Sequence, residues 1–413
     1  MSEKNRVIVI GGGASGFMAA ITAARNGSKV TILEHMNFVA KKIEHTGNGR
    51  CNFTNNNQSI AFYNNDNSQI VEKVLDIFSF DDTLNFFSDL GLIYRQRDGY
   101  YYPLNNQAAA ISSLLKMEAE HLNIKTACNI DIIKIVKEDG LFKIITDGYV
   151  YEAEAVILAT GSKADEKTGS DGSGYNYAKA FGHTVNDVCP ALVYLKSQAK
   201  EMGALAGLRT YAKVSLYIDN REIACDSGEL QFIKNGLSGI PVFQVSRYAS
   251  LKFNEDKAAN VYAVIDFLPG FTFEELKNYI ELRIQKDFYK NLTGFLTGFL
   301  HEKVISVIAA KMKIKGNVKV KELSQTKIEE LCKLIKQMRF GISGTGDFNQ
   351  AQVCAGGVSL KEVDYNLQSK LVDNLYFAGE ILDVDGRCGG YNLQWAWSSG
   401  YVSGKAAAHL EDC

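Results

Sequence analysis

The sequence predicts an α/β protein built around a parallel β-sheet, and three short apolar segments indicate this fold class. Residues 7–10 are all valine or isoleucine, and residues 155–159 and 375–378 have a similar apolar character. Unbroken apolar runs of this length are typical of parallel strands that are covered on both faces. We therefore expect the three segments to lie in one sheet.

A glycine-rich turn follows the first predicted strand and leads into a predicted helix. Gly11, Gly13 and Gly16 have the G-x-G-x-x-G spacing, in which the glycines allow a tight turn, the approach of backbone amides to a pyrophosphate, and close helix packing. A second strand is predicted over residues 29–34. Its last residue, Glu34, has the position of an acid that accepts hydrogen bonds from an adenosine ribose. This order of elements predicts a dinucleotide site but does not choose between NAD and FAD.

The second and third apolar strands are separated by a long insertion of roughly two hundred residues. Alternating apolar and polar residues over 191–223 and 261–268 predict antiparallel strands. A capping box that starts at Thr272 and helical spacing after it predict a helical segment over 272–338. Ser238 is predicted to cap another helix that has a proline in its first turn.

The charge balance argues against a nucleic-acid partner, and a small-molecule substrate is expected instead. The chain has 45 Lys and Arg against 47 Asp and Glu, which gives a net charge of -2 and no general attraction to nucleic acid or acidic membranes. No run approaches the ~20 apolar residues of a membrane span, and glycines interrupt the apolar N-terminal segment, unlike a secretory signal. We expect a cytoplasmic protein without a membrane partner. The oligomeric state is not predicted.

The eight cysteines are scattered and include no CxxC pair. Neither a disulfide scaffold nor a metal site is therefore predicted. Cys51 has two interpretations, a redox thiol or a packed apolar side chain. The lack of a nearby partner cysteine favours packing.

Two further motifs favour FAD over NAD. Residues 40–55, AKKIEHTGNGRCNFTN, are dense in glycine, cations and amide donors, and a ligand longer than the ADP unit explains them. Residues 379–394, GEILDVDGRCGGYNLQ, lead into a predicted helix rich in small residues. The start of that helix would direct amides and a positive dipole at the flavin edge that becomes negative on reduction.

These strings resemble a bacterial family of FAD-dependent oxidoreductases that includes bile-acid enone reductase-like and aminoacetone oxidase-like flavoproteins. The matching pieces are GGGASG, KKIEHTGNGRCNFTN, VILATG, AGGV, AGEILDVDGRCGGYNLQWAWSSG and parts of residues 228–239. They cover both ends and the middle of the chain. The resemblance implies a glutathione-reductase-type, Rossmann-like FAD-binding domain that is discontinuous. Its implied domains are residues 1–190 with 355–413 for FAD, 191–271 with 339–354 as a β-rich insert, and 272–338 as a helical subdomain.

The resemblance also implies which residues contact FAD. The implied contacts are Gly11, Gly13, Ala14, Ser15, Gly16, Glu34, Lys42, Arg50, Cys51, Asn52, Ile132, Ile133, Gly161, Gly379, Glu380, Asp385, Asn392 and Leu393. Of these, Ile132 and Ile133 are expected at the adenine end. The chain departs from the family where Ala40 replaces a frequent glycine, and where Glu44 and His45 replace a usually apolar or small pair.

Three functions remain open from the sequence. The leading hypothesis is an NAD(P)H-linked FAD enzyme that moves a hydride through flavin N5 to or from a small organic substrate. The alternatives are an amine or amino-acid oxidase that uses oxygen and releases peroxide, and a non-catalytic flavin-binding sensor. Residues 341–346 lack the strand and acid of a second nucleotide motif, so NAD(P)H is expected as a transient co-substrate. No catalytic side chain is predicted.

Overall fold

The computed structural model describes residues 5–409. The chain divides into two compact units, Met1–Pro190 with Phe348–Cys413, and Ala191–Asp347. No helix among the described residues has both the length and the apolar character to cross a membrane.

The first unit is built on a five-stranded parallel sheet. Its order is Leu375–Phe377, Ala155–Leu158, Arg6–Ile10, Lys29–Leu33 and Lys125–Ala127. Every neighbouring pair is parallel. The three apolar segments therefore share one sheet, as predicted, and the α/β fold class is confirmed.

Side chains of the first strand alternate between two separate cores. Val7 and Val9 pack on one face, in a cluster with Met18 and Trp397. Ile8 and Ile10 pack on the opposite face, in a cluster that also includes Phe142. Because successive strand residues point to opposite faces, a strand covered on both sides has to be apolar throughout.

Smaller sheets and several helices surround the parallel sheet. The additional strands are Ile132–Glu138, Leu141–Thr146 and Val150–Ala153; Thr54–Asn55, Tyr94–Arg97 and Tyr100–Pro103; Tyr63–Asn65 and Val384–Gly386; and Cys189–Ala191 and Val353–Ala355. The helices are Ala14–Arg25, Lys41–His45, Ser68–Ile77, Phe80–Asp89, Ala108–His121, Ser173–Ala180 and Tyr391–Ala408.

The C-terminal helix Tyr391–Ala408 lies against the first helix of the chain. A Cβ placed on Gly400 would lie 2.5 Å from the backbone oxygen of Ser15, and one on Gly404 would lie 2.3 Å from that of Ala19. Backbones approach this closely only where a side chain is missing. The helix is anchored further by Trp397, whose indole N–H donates to the Phe53 carbonyl at 2.9 Å.

The second unit combines one antiparallel sheet with helices on a shared core. Its seven strands, in spatial order, are Met338–Ile342, Val261–Asp266, Arg209–Ile218, Arg221–Ile233, Gly236–Ser238, Leu195–Lys196 and Gly344–Thr345. Its helices are Met202–Leu205, Ile240–Glu255, Phe273–Lys286, Leu292–Leu296, Glu302–Lys311 and Gln325–Lys336.

The structure differs from the predicted organisation of the insertion in two respects. Helix residues such as Ile280 and Ile308 share one core with sheet residues such as Val214 and Phe340, so the segment 272–338 is not a compact unit of its own. The second unit also ends at Asp347, before the predicted boundary at residue 354. A turn amide of the first unit, that of Asp165, donates to the Phe348 carbonyl at 2.9 Å.

Two helix starts were predicted in the insertion, and the structure confirms one of them. Thr272 accepts from the Glu275 amide and Glu275 from the Thr272 amide, so the predicted capping box is confirmed. The prediction for Ser238 is wrong, since the cap of helix Ile240–Glu255 is Gly239, with φ of 100°. Ser238 pairs with Gln231 in the sheet, and so it cannot occupy the cap.

Candidate functional site

The glycine turn lies at the carboxyl end of the first strand. Gly11 has φ of 105°, and a Cβ on it would lie 2.4 Å from the Ala159 carbonyl oxygen. A Cβ on Gly16 would lie 1.9 Å from the Gly11 carbonyl oxygen. Gly13 is different, because a Cβ there would meet no protein atom within 4 Å. The turn is thus closed toward the protein and open at Gly13, which suits a bound pyrophosphate.

Glu34 is held by backbone amides at the end of the second strand. Its Oε2 accepts from the Gly12 amide at 2.8 Å, and its Oε1 accepts from the Met36 amide at 2.9 Å. The residue is 8% exposed. Oε1 also lies 3.3 Å from the His35 ring nitrogen, so Oε2 is the oxygen with a lone pair left to accept from a ribose hydroxyl.

Two helices of the site begin without a capping side chain. Ala14–Arg25 starts after Gly13 and Tyr391–Ala408 starts after Gly390, and neither has a cap hydrogen bond or an acid in its first turn. The first amides of a helix have no partner within the helix, and the dipole there favours a negative group. These helix starts therefore offer N–H donors to an anionic ligand.

The glycine turn and the C-terminal motif meet in space. The Ser15 hydroxyl donates to the Ala378 carbonyl at 3.2 Å, and a Cβ on Gly379 would lie 2.4 Å from the Ser15 Oγ. Parallel strands end at the same edge of a sheet. This edge therefore unites residues that are more than three hundred and sixty positions apart in the chain.

Glu380 connects three motifs through its carboxylate. Its Oε2 accepts from the Lys42 ammonium at 2.7 Å and from the Ser162 hydroxyl at 3.1 Å. Ser162 follows Gly161, which has φ of 73°. The ion pair is partly buried, with side chains 24% and 18% exposed, and it orients both charged groups beside the edge of the sheet.

The loop before the C-terminal helix is fixed by its own polar groups. The Asn392 side chain accepts from the Gly386 amide at 2.7 Å and donates to the Gly386 carbonyl at 2.9 Å. Asp385 accepts from the Asn64 side chain at 2.9 Å, and Leu393 is half-buried beside the core. These contacts preorganise the loop.

The GNGRCN loop contains one exposed cation and one buried thiol. The Arg50 Nε donates to the Gly47 carbonyl at 3.2 Å, and its guanidinium lies 6.0 Å from the centre of the Tyr102 ring. Asn52 accepts from the Tyr101 amide at 3.2 Å. Cys51 is fully buried, with φ of 53°.

The structure shows the environment of each residue that departs from the family pattern. Ala40 has φ of 66°, the left-handed region in which glycine is favoured. Glu44 accepts from the Ser112 hydroxyl at 2.7 Å, and the His45 ring lies 3.8 Å from the Asp165 carboxylate. Glu44 and His45 therefore have protein partners of their own.

Ile132 and Ile133 begin the strand Ile132–Glu138. Ile133 is 67% exposed, at an irregularity of strand pairing between Ile132 and Lys134. The Ile132 carbonyl accepts from the Tyr177 hydroxyl at 3.0 Å. An adenine contact at these two residues stays a prediction.

Five buried side-chain polar atoms within residues 5–409 have no hydrogen-bond partner, and they belong to Asn5, Ser28, Thr160, Tyr175 and His183. Two of them lie beside the candidate site: the hydroxyl of Thr160, a residue next to the Gly11 turn, and that of Tyr175, which is close to Glu380. Burial also raises the pKa of Tyr175 well above its usual value, with Cys354 and Glu380 adding to the effect. A buried hydroxyl without a partner is costly, so these groups fit a bound cofactor. The available signal was the position of Thr160 in the VILATG motif, two residues beyond the end of the strand Ala155–Leu158.

Cys51 should not react with thiol reagents in the folded protein. Burial raises its pKa to about 12, although a hydrogen bond with Thr46 partly offsets this. At pH 8 only about one such thiol in 10,000 is ionised, and the thiolate is the reactive form. Alkylation followed by peptide mass spectrometry should label the exposed Cys225 and label Cys51 only after denaturation. Equal labelling of both in the folded state would instead show that the Cys51 thiol is accessible and ionised.

Comparison with known proteins also points to a nucleotide-binding protein with a Rossmann fold. The chain matches a family model described as the HI0933-like protein Rossmann domain over residues 5–406. A 3-dehydro-bile acid delta(4,6)-reductase of Clostridium scindens is 42% identical and covers 98% of this chain and 99% of its own. A ribosomal RNA dihydrouridine synthase of Haemophilus influenzae is 28% identical, with 97% and 98% covered. A solved 3-ketosteroid-delta4-(5alpha)-dehydrogenase from Rhodococcus jostii aligns with a TM-score of 0.49 at 14% identity, covering 99% of this chain and 98% of its own.

The fold and the full-length sequence matches define an FAD-dependent oxidoreductase. The chain belongs to the HI0933-like family of Rossmann, FAD-binding proteins. The predicted family, fold class and enzyme class are therefore confirmed. The alternative of a non-catalytic sensor is not supported, because the curated relatives are enzymes.

Proposed function

We propose that this chain uses NAD(P)H to reduce a carbon–carbon double bond conjugated to a carbonyl group in a small organic substrate. The observation that supports this is the 42% identity, over nearly the full length of both chains, with a 3-dehydro-bile acid delta(4,6)-reductase. The overall reaction adds one hydride and one proton across the double bond, and NAD(P)H leaves as NAD(P)⁺. FAD, when bound, supplies two-electron chemistry at its N5.

The chain's own contribution is to hold the cofactor. Glu34 would accept from a ribose hydroxyl, and the amides after Gly13 would donate to the pyrophosphate. Both proposals follow from a buried carboxylate with a remaining lone pair and from a helix start without a cap. The remaining contacts implied by the resemblance stay proposals of the same kind.

The C-terminal helix would act on the electrostatics of the ring. The start of Tyr391–Ala408 has no acid in its first turn and no capping side chain. Its dipole would stabilise negative charge that develops nearby. Lys42 and Glu380 would orient the polar edge of the site through their 2.7 Å ion pair.

A second candidate, an oxygen-using amine oxidase, differs in the source of electrons. It would take them from an amine and pass them to oxygen with release of peroxide. RNA is a further possible substrate class, since two relatives are named ribosomal RNA dihydrouridine synthases. The net charge of -2 favours a small molecule over a polyanion, so we propose no nucleic-acid partner.

Anaerobic mixing distinguishes these functions. NADH or NADPH should bleach the flavin absorbance of the purified protein, and an enone should restore it without oxygen. The saturated ketone of the same skeleton is the matched control and should not restore it. Bleaching by an amine, with peroxide on aeration, would support the oxidase instead. Restoration by a uridine-containing RNA but by no enone would move the substrate class to nucleic acid.

A further inference from the structure

A cavity of about 380 Å³ lies within the unit Ala191–Asp347. It forms where the strand Leu195–Lys196 meets the turn at Lys234 and Asn235, and where Ser343 follows another strand. The Ser197 amide donates to the Asn235 carbonyl at 2.9 Å, and the Ser343 amide donates to the Lys196 carbonyl at 2.9 Å. Its walls are thus fixed by main-chain hydrogen bonds. Its volume lies within the range of roughly 300–1,000 Å³ that is usual for small-molecule sites.

The cavity carries positive charge that its own walls do not neutralise. Lys196 and Lys234 line it, and no Asp or Glu does. Within residues 5–409, neither lysine side chain takes part in an ion pair or hydrogen bond. Lys196 is half-buried and Lys234 is exposed, and two cationic residues without an acid in the lining give this concave surface a positive potential. A negatively charged ligand is therefore favoured.

The other lining groups add polar and apolar character. Gln198, Asn235 and Ser343 bring side-chain amides and a hydroxyl. The Ser197 hydroxyl is already used, because it donates to the Gly341 carbonyl at 2.8 Å. Met202 is buried and forms part of the apolar wall. Ammonium groups bind phosphate and carboxylate as point charges, while the apolar wall suits the carbon skeleton of an organic ligand.

We propose that this cavity binds the phosphate or carboxylate group of a small organic anion. The inference goes beyond the proposed function and does not depend on it. A phosphate could come from a nucleotide such as NAD(P)H, and a carboxylate from an apolar acid such as a steroid carboxylate. The shared requirement is a negative group that pairs with Lys196 and Lys234.

Binding can be measured by titration calorimetry on the full-length protein saturated with FAD, at low ionic strength. Pyrophosphate tests the phosphate source, and a steroid carboxylate beside its uncharged methyl ester tests the carboxylate source. We expect at least one anionic probe to bind, and the K196Q/K234Q double variant to weaken that binding at least about tenfold. K196R/K234R should retain it, since the charge is kept.

The matched control is K257Q, which removes one exposed lysine of the same unit outside the cavity. Its affinity should equal that of the wild type. Wild-type affinity in K196Q/K234Q, or the lack of binding of both anions to the wild type, would overturn the proposal. Equal binding of the steroid acid and its ester would also overturn the proposal that the cavity binds a carboxylate. No turnover is measured, so failure of NAD(P)H to bleach the flavin would leave this result unaffected.

Discussion

Replacing Gly13 with alanine should lower the affinity for FAD at least about tenfold, a loss of about 1.4 kcal/mol, while the FAD-free protein still folds. A Cβ at this position meets no protein atom within 4 Å. Its φ of -88° and ψ of -164° are also open to alanine. The methyl group would instead occupy the space in which backbone amides approach the pyrophosphate. The effect should therefore fall on the ligand.

Two measurements separate binding from folding in this variant. FAD affinity can be measured by flavin fluorescence, and the unfolding of the FAD-free protein by urea titration. Glycine is a somewhat better helix cap than alanine, so a stability loss of up to about 1 kcal/mol is expected. G298A is the control, because Gly298 is also open and lies in the other unit; it should keep wild-type affinity. Unchanged FAD affinity in G13A would place the pyrophosphate elsewhere.

Replacing Gly404 with alanine should destabilise the first unit by about 1–3 kcal/mol. The new Cβ would lie 2.3 Å from the Ala19 carbonyl oxygen and 2.8 Å from its Cα, both backbone atoms of a buried helix. Those atoms cannot rotate away as the end of a side chain can. Alanine also favours helix over glycine by up to about 1 kcal/mol, which reduces the observed loss.

The Gly404 substitution should also weaken FAD binding, because it changes how the C-terminal helix packs. Tyr391–Ala408 has to shift away from Ala14–Arg25, and both helix starts belong to the candidate site. We therefore expect a lower thermal midpoint and weaker retention of FAD during gel filtration. G298A again serves as the control and should not lower the midpoint. A G404A protein as stable as the wild type would show that the helices separate at little cost.

The proposed nucleotide half of the site rests largely on local sequence. Gly11, Gly13, Gly16 and Glu34 lie in one strand–turn–helix–strand segment, whose geometry depends on backbone conformation and on residues close in the chain. The positions of apolar strands are similarly local, because a strand covered on both faces has to be apolar throughout. The left-handed backbone of Ala40, with φ of 66°, was not predicted, because an alanine gives no local signal for it.

The boundary of the second unit could not be predicted in this way. The segment 272–338 has clear helical spacing, and yet its side chains share a core with strands that precede it by tens of residues. Helical period shows which face is apolar, but it does not show which partner covers that face. Ser238 was misplaced for a related reason, because a strand pairing with Gln231 competes with capping.

The sequence by itself determined the fold class and the family, and it predicted the place of the ADP unit, since each depends on motifs that are continuous in the chain. Only the tertiary structure showed that Lys42 pairs with Glu380 across 338 positions, that Thr160 and Tyr175 present partnerless buried hydroxyls within residues 5–409, and that two lysines share a cavity. Such contacts depend on how distant segments pack together, because burial and charge balance are properties of the assembled surfaces and are not encoded in the spacing of neighbouring residues.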